Sequence, residues 1–395
     1  MFKRAAALLI AALCTATHAA EPTVRAAVAC LAPAKWYALE GGKPRAVPEA
    51  ELIEDMARRE VVLLGEHHDD ADHHLWQLQT LAALHAVRPD MALGFEAFPR
   101  RVQPVLDRWT AGELDATGFL RLVEWDKVWG FAPELYLPLL QFARINRIPV
   151  VALNVEKSFT EAVGAKGWDA LQPQQREGVS RPAAAPPSYE ASLFDVYKEH
   201  ARGRPGGQAA SVKDPAFRNF LEAQTVWDRA MAEALASRAK GSGAARPLAV
   251  GIMGAGHVQG GYGVVHQLRD LGVTRIGTLL PVPADSDCSE IAAPLADAVF
   301  ALPAARDENP PPRLGVRLEL RDRAVVIAGV SEGSLAARSG LQTGDVVVSA
   351  AGVAATSASS VTNMVRNTLP GTWLPLQIRR GSTTTEVVVK FPPKP

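Results

Sequence analysis

The chain has no excess of either charge, few cysteines and no long apolar run past its first residues. Lysine and arginine total 42, aspartate and glutamate total 42, and the formal net charge is zero. That balance leaves no electrostatic footprint for nucleic acid or an acidic surface as partner. No self-similar period of solenoid length is present. No internal stretch is long and apolar enough to form a membrane helix. The glycines around Gly254 match neither a dinucleotide-binding nor a P-loop spacing. Cysteines number three, at positions 14, 30 and 288.

What is present points to an exported chain. Lys3 and Arg4 precede a short apolar stretch over residues 5–13, and small residues follow at Thr17, Ala19 and Ala20. This is the layout of a secretory signal, so residues 1–20 are expected to be cleaved and the mature protein to lie in the periplasm or otherwise outside the cytoplasm. Lipoprotein anchoring at Cys14 is disfavoured, because Leu13 stands where a small residue is wanted. Cleavage leaves Cys30 and Cys288, which either pair in an oxidising compartment or remain as two thiols.

With 395 residues and 48% hydrophobic composition, two or three domains with sizeable cores are expected. Residues 60–64 (EVVLL), 91–95 (MALGF), 148–153 (IPVVAL), 248–253 and 276–280 read as buried strands. Helical spacing occupies 70–85, 101–109, 118–123, 133–144 and 214–240. Strands alternating with helices predict an α/β body over 34–300, a mostly parallel sheet covered by helices on both faces. Residues 172–207, rich in Pro, Gly and Ala, are expected to be irregular with short helices. Residues 301–312 (ALPAARDENPPP) read as a proline-rich linker.

Beyond the linker the strands become short and β-rich. The ordered set Leu314-Gly315-Val316, the strand 325–330, Gly333-Ser334-Leu335-Ala336-Ala337, Ser339-Gly340-Leu341, Gly344-Asp345-Val346-Val347 and Gly371 resembles a bacterial PDZ domain over 313–392. Such a module binds an extended or C-terminal peptide by adding it to a sheet edge. Leu314, Gly315 and Val316 would meet the peptide carboxylate, Gly315 allowing close backbone approach. A helix near 358–367 would wall the groove, and Arg313 either assists the anion or is simply exposed.

The densest chemistry is Gly65-Glu66-His67-His68-Asp69-Asp70-Ala71-Asp72-His73-His74, where a buried strand gives way to a helix. Ligands of open α/β sheets bind at such carboxyl ends. Asp69 or Asp70 is a candidate helix cap. A carboxylate just past a buried strand needs a partner, which singles out Glu66. Glu66 and His68 suit either metal binding or an acid–base pair, and a His-rich tract or a solvated face are the plain readings. For His73 and His74 the solvated face is preferred. Two further strands end in Gly94-Phe95-Glu96 and in Gly254-Ala255-Gly256-His257. Three strand ends are therefore expected to gather Glu66, His68, Glu96 and His257 in one pocket.

Residues 34–281 resemble the ChaN-like haem-binding proteins of the wider Tiki/TraB and erythromycin-esterase-like superfamily. The resemblance rests on Gly65–Asp69, Gly94-Phe95-Glu96, Trp125, Tyr136, Pro138, Ala143-Arg144, Ile148-Pro149-Val150 through Asn154, Ala223-Gln224, Trp227-Asp228, Met231-Ala232 and Gly254-x-Gly256-His257-Val258. It implies haem, or a related iron ligand, as cofactor, taken up at the cell envelope. Tyr197 and His200, an i, i+3 pair, and Tyr189 are the candidate haem-facing residues, with ordinary packing or exposure as the preferred plain reading of each. No Cys-x-x-Cys-His run is present, so any haem is held non-covalently. The same superfamily implies an alternative, a metal-dependent peptidase or esterase. There Glu66, His68, Glu96 and His257 are catalytic, and Glu66, His68 and His257 hold a divalent metal that activates water. A third reading makes the body a degenerate scaffold and the PDZ module an adaptor. Whether the chain is an enzyme, and whether it works as a homodimer, stays open at this level.

Overall fold

A computed structural model of the chain describes residues 30–40, 43–202, 211–240, 246–287, 289, 291–292, 294–303 and 312–393. The expected leader over 1–20, most of the 301–312 linker and Cys288 lie outside the described residues. Cys30 is engaged in a disulfide.

The strands of the body are β1 (Trp36–Ala38), β2 (Arg45–Val47), β3 (Val61–Glu66), β4 (Met91–Pro99), β5 (Val150–Asn154), β6 (Leu248–Gly254), β7 (Ile276–Pro283) and β8 (Ala298–Leu302). They form one sheet in the order β2-β1-β8-β7-β3-β6-β4-β5. From β8 to β5 every pairing is parallel, while β1 runs antiparallel to both β8 and β2. The central strands are buried along their whole length because helices cover both faces, and apart from Glu66 and Glu96 the side chains of β3, β4 and β6 are apolar. Alternation divides them cleanly. Val62, Leu64, Leu93, Phe95, Val250 and Ile252 face a core built with the helices Glu49–Ala57, Ala71–Val87, Gln103–Thr110 and Pro133–Ile145. Val61, Leu63, Ala92, Ala249 and Met253 face the long helix Pro215–Lys240 and the short Val264–Asp270.

The α/β body with its mostly parallel sheet agrees with the expectation from sequence. The expected irregularity of 172–207 needs correction, since Pro187–Arg202 is a helix. Tyr189, Leu193 and Tyr197 lie at helical spacing and pack on Phe217, Leu221 and Phe220, so burial of one apolar stripe overrides the local composition. The short strands β1, β2 and β8 carried no pattern long enough to declare themselves.

The second unit is a β-rich module with β9 (Val316–Arg321), β10 (Ala324–Val330), β11 (Val346–Ala350), β12 (Val353–Ala354), β13 (Trp373–Arg380) and β14 (Thr383–Lys390). The sheet is antiparallel in the order β14-β13-β11-β10-β9, with β12 paired to β11, so β9 is an edge strand. Asp345 is buried and held by two bonds from Arg380, at 2.7 and 2.8 Å. Gly315 precedes β9 at φ +77°, and a Cβ there would lie 2.4 Å from Cβ of Ser334, so only glycine fits this loop.

Leu64→Ala opens a cavity at the centre of the body and should lower unfolding free energy by about 2–5 kcal/mol, read from the urea midpoint of the body transition.

Candidate functional site

β3 stays buried to its last residue, and that residue is a carboxylate, Glu66, only 2% exposed. Both its oxygens are matched. Oε1 accepts from the Tyr136 hydroxyl at 2.5 Å and from Nδ1 of His68 at 2.8 Å. Oε2 accepts from Nε2 of Gln77 at 2.8 Å. Gln77 comes from the helix Ala71–Val87 and Tyr136 from Pro133–Ile145, so two helices meet on one strand end.

The loop between Glu66 and that helix is fixed from below. Asp70 is the helix cap, accepting from the backbone of Asp72 at 2.9 Å and of His73 at 3.3 Å. His73 and His74 are buried, which corrects the expectation of a solvated face. Nδ1 of His73 accepts from the His67 backbone N–H at 2.9 Å, and Nε2 of His74 donates to the His68 carbonyl at 3.2 Å. Burial lowers the His73 pKa, which keeps its Nδ1 free to accept. Both rings thus replace backbone partners that the loop cannot find for itself.

The second half of the site lies on β4 and β6. The register of β4 with β5 shifts between Phe95 and Pro99, and Glu96 sits in that interruption. Its Oε2 accepts from the backbone N–H of Gly254 at 2.7 Å, and its Oε1 lies 3.6 Å from Nε2 of His257. Nδ1 of His257 donates to Oδ1 of Asp228 at 2.7 Å, and Oδ2 of Asp228 accepts from the Tyr189 hydroxyl at 2.8 Å. The indole of Trp227 meets the His257 ring edge to face at 4.9 Å.

Gly254 joins the two halves. A Cβ on it would lie 3.0 Å from Nε2 of His68 and 3.7 Å from Oε2 of Glu96. The structure therefore brings Glu66, His68, Glu96 and His257 to one place. Each histidine is backed at Nδ1 by a carboxylate, Nε2 of His257 turns towards Glu96, and Nε2 of His68 lies against Gly254. Trp129 and Phe131 cover His68 at ring distances of 4.7 and 5.0 Å.

The charges follow from these contacts. Burial opposes the charge on His257, but Glu96 and Asp228 outweigh it and raise its pKa to about 10. Burial likewise opposes charge on His68, and the bond to Glu66 with the nearby Glu96 still raises its pKa. Burial would raise Glu96, yet His257 pulls it below the ordinary value. Asp228 moves the other way, because complete burial exceeds what His257 and Tyr189 return. Burial, then Asp228 and Glu66 respectively, push Tyr189 and Tyr136 well up, so both phenols stay protonated donors.

Among the described residues no group of three or more His, Cys, Asp or Glu side chains is placed to hold a metal ion. Glu66 already receives three side-chain donors, and both nitrogens of His257 face carboxylates. What the arrangement can do is hold two imidazoles of raised pKa beside one buried carboxylate, and exchange a proton between imidazole and carboxylate.

The three residues expected to face haem separate. Tyr189 is buried, and its hydroxyl is committed to Asp228, so it is not an open ligand. Tyr197 borders an open cleft of about 400 Å³ with Phe220, Trp227, Ala216, Ala223 and Gly164. Among the described residues its hydroxyl takes no hydrogen bond. His200 belongs to the same helix, Pro187–Arg202, and its side chain lies outside the described residues. In the second module, Leu314, Gly315 and Val316 line a groove of about 340 Å³, walled by the helix Ala358–Arg366.

Sequence reasoning had not assigned a role to Gln77, Tyr136 or Asp228. One signal was there: Asp228 falls on the apolar stripe of a long helix, among Val226, Met231 and Ala232, where a carboxylate requires a buried partner.

Residues 52–268 match the family described as haem-binding uptake, Tiki superfamily, ChaN, and residues 312–391 match the PDZ domain. A solved structure described as cofacial heme binding to ChaN of Campylobacter jejuni is similar over 67% of this chain and 96% of that one, at 17% identity and a TM-score of 0.51. The HtrA-type protease AlgW, solved with a decapeptide, is similar over 21% of this chain and 29% of its own, at 24% identity and a TM-score of 0.20. The serine endoprotease from Yersinia pestis is similar over 21% and 29%, at 23% identity and a TM-score of 0.19. No curated protein matches the chain.

Glu96→Gln removes the charge that both histidines face. Their imidazole resonances should titrate at lower pH than in the parent, and stability should drop by about 3–5 kcal/mol, as for a broken buried pair. The parent has its own pH signature. His257 rises from 6.5 to about 10 on folding, so its contribution is complete below the lower value and lost as pH climbs through the upper one. The thermal midpoint should therefore fall across that window, and fall less in Glu96→Gln; equal slopes would refute the assignment.

Proposed function

The chain belongs to the haem-binding uptake, Tiki superfamily, ChaN family and carries a PDZ domain, and on that premise we propose that its body binds haem in the cleft beside Tyr197. The observation that carries the reading is a phenol with no hydrogen bond among the described residues at an open cleft, lined by the rings of Phe220 and Trp227 beside the polar Thr160, Glu161 and Gln224. A porphyrin needs an apolar surface along its ring and an axial ligand. Phe220 and Trp227 supply aromatic surface, and Gly164, Ala216 and Ala223 are small enough to let a flat ring approach. In this reading Tyr197 would hold the iron of a bound haem through its phenolate oxygen.

The cleft is open, so it covers one face of a ring and leaves the other exposed. That suits the cofacial haem binding named for the Campylobacter jejuni relative, and it is a reason to expect a second copy of the chain to close over the free face. Tyr189 serves differently. Its bond to Asp228 anchors the helix that carries Tyr197.

We further propose that the groove at Leu314, Gly315 and Val316 takes the carboxyl-terminal end of a peptide as an added strand beside β9. The reading rests on the free edge of β9, the glycine-dependent loop before it and the apolar wall of Val361 and Val365. Export to the periplasm is proposed from the leader-like residues 1–20.

A second reading, hydrolysis at Glu66, His68, Glu96 and His257, is favoured by the carboxylate-backed imidazoles. In it the two histidines and the two glutamates would handle the proton, and Glu66, His68 and His257 are the residues that would hold a divalent metal if one binds. Peptide and ester substrates test it, and activity unchanged in His68→Ala and His257→Ala would remove it.

Haem titration of the full chain should give a saturable, shifted Soret band at micromolar haem. Tyr197→Phe should abolish the ligation-dependent shift and weaken binding by about tenfold or more, the scale of losing a metal contact. Tyr189→Phe should leave the band position unchanged. Absence of any shift in the parent would overturn the reading.

A further inference from the structure

The PDZ groove and the loop that carries His68 share one side chain. Arg366 ends the helix Ala358–Arg366 and lines the groove beside Val365 and Leu314. Its Nη2 also lies 3.3 Å from Oδ2 of Asp69, the residue that follows His68. The same wall touches the body twice more. Nδ2 of Asn363 donates to the Gly130 carbonyl at 3.5 Å, and the Thr356 hydroxyl donates to Asp126 at 3.4 Å. Gly130 stands between Trp129 and Phe131, the two rings that cover His68. It has φ +86°, and a Cβ on it would lie 3.5 Å from Ser359. One wall of the groove therefore rests on the loop behind His68 and on the aromatic cover in front of it.

The charge of the groove is one-sided. Among the described residues lining it, Arg313 and Arg366 are cationic and none is acidic. The Arg366–Asp69 pair is exposed, with side chains 40% and 52% accessible. An ion pair of that kind is weak and yields to a competing carboxylate.

We propose that the groove selects peptides whose last residues combine an apolar carboxyl-terminal side chain with a neighbouring acidic one, and that such a ligand draws Arg366 from Asp69 and loosens the groove wall from the cover over His68. The proposal rests on the peptide-binding reading given above. It makes the PDZ module a device through which an acidic peptide reaches the buried histidine site. Coupling of this kind is reciprocal, so whatever frees Arg366 from the body must tighten the peptide.

Two labelled peptides test it on the full chain, alike except for Asp or Asn beside a carboxyl-terminal valine. Fluorescence anisotropy should show the Asp peptide binding about two- to fivefold tighter, the scale of one exposed ion pair. Arg366→Met should erase that preference, and Asp69→Asn should widen it. Deuterium uptake over residues 126–131 should rise when the Asp peptide binds the parent and should not respond to it in Arg366→Met. Equal affinity for both peptides, or no effect of Asp69→Asn, overturns the proposal while leaving peptide binding intact. Binding of neither peptide overturns both.

Discussion

Glu96 has surrendered nearly all its water at the carboxyl end of a parallel strand, and the arrangement around it compensates for that loss. An unmatched carboxylate there would cost several kcal/mol. Gly254 offers a backbone N–H, and His257 and His68 offer positive charge. Each histidine then needs its own support. His257 draws in Asp228, which is fully buried and draws in Tyr189. His68 draws in Glu66, which draws in Tyr136 and Gln77. The demand for charge balance thus passes outward from one oxygen pair to four helices, and it fixes where those helices stand.

One consequence is that buried site and open cleft are not independent. Trp227 lies edge-on to His257 and also borders the cleft. Tyr189 and Tyr197 share the helix Pro187–Arg202, one end tied into the charge network and the other facing the cleft. A disturbance of Asp228 would reach the Tyr197 surface through both. On the other side of the sheet end, Trp129 and Phe131 shield His68 and receive the groove wall of the PDZ domain. The histidine pair therefore lies between the cleft beside Tyr197 and the groove of the PDZ domain.

The separation of the three candidate haem residues shows how burial reassigns chemistry. Tyr189 and Tyr197 are the same side chain eight positions apart on one helix. One is buried against a carboxylate and acts as a donor that cannot ionise near neutrality. The other packs on Phe217 at 5.6 Å and Phe220 at 5.3 Å, and among the described residues its hydroxyl takes no hydrogen bond.

Much of this was legible in the order of residues. Apolar runs ending in glycine and a charged residue marked β3, β4 and β6, because a strand buried on both faces must be apolar until it reaches the sheet edge. Those endings located Glu66, His68, Glu96 and His257, and the glycine pattern of 313–392 marked the peptide groove. Local pattern could not reveal the helix over Pro187–Arg202, whose stability comes from Phe217 and Leu221 on another helix. Nor could it show that His73 and His74 turn inward to satisfy a loop, or that Asp228 and Tyr136 complete the site from 29 and 70 residues away in the chain. The sequence by itself determined where the buried runs of β3, β4 and β6 lie, since burial along a strand is written in consecutive side chains, although β4 continues past Glu96 to Pro99. Only the tertiary structure decided their partners and hence their charges, because those depend on distances between segments that the chain order does not contain.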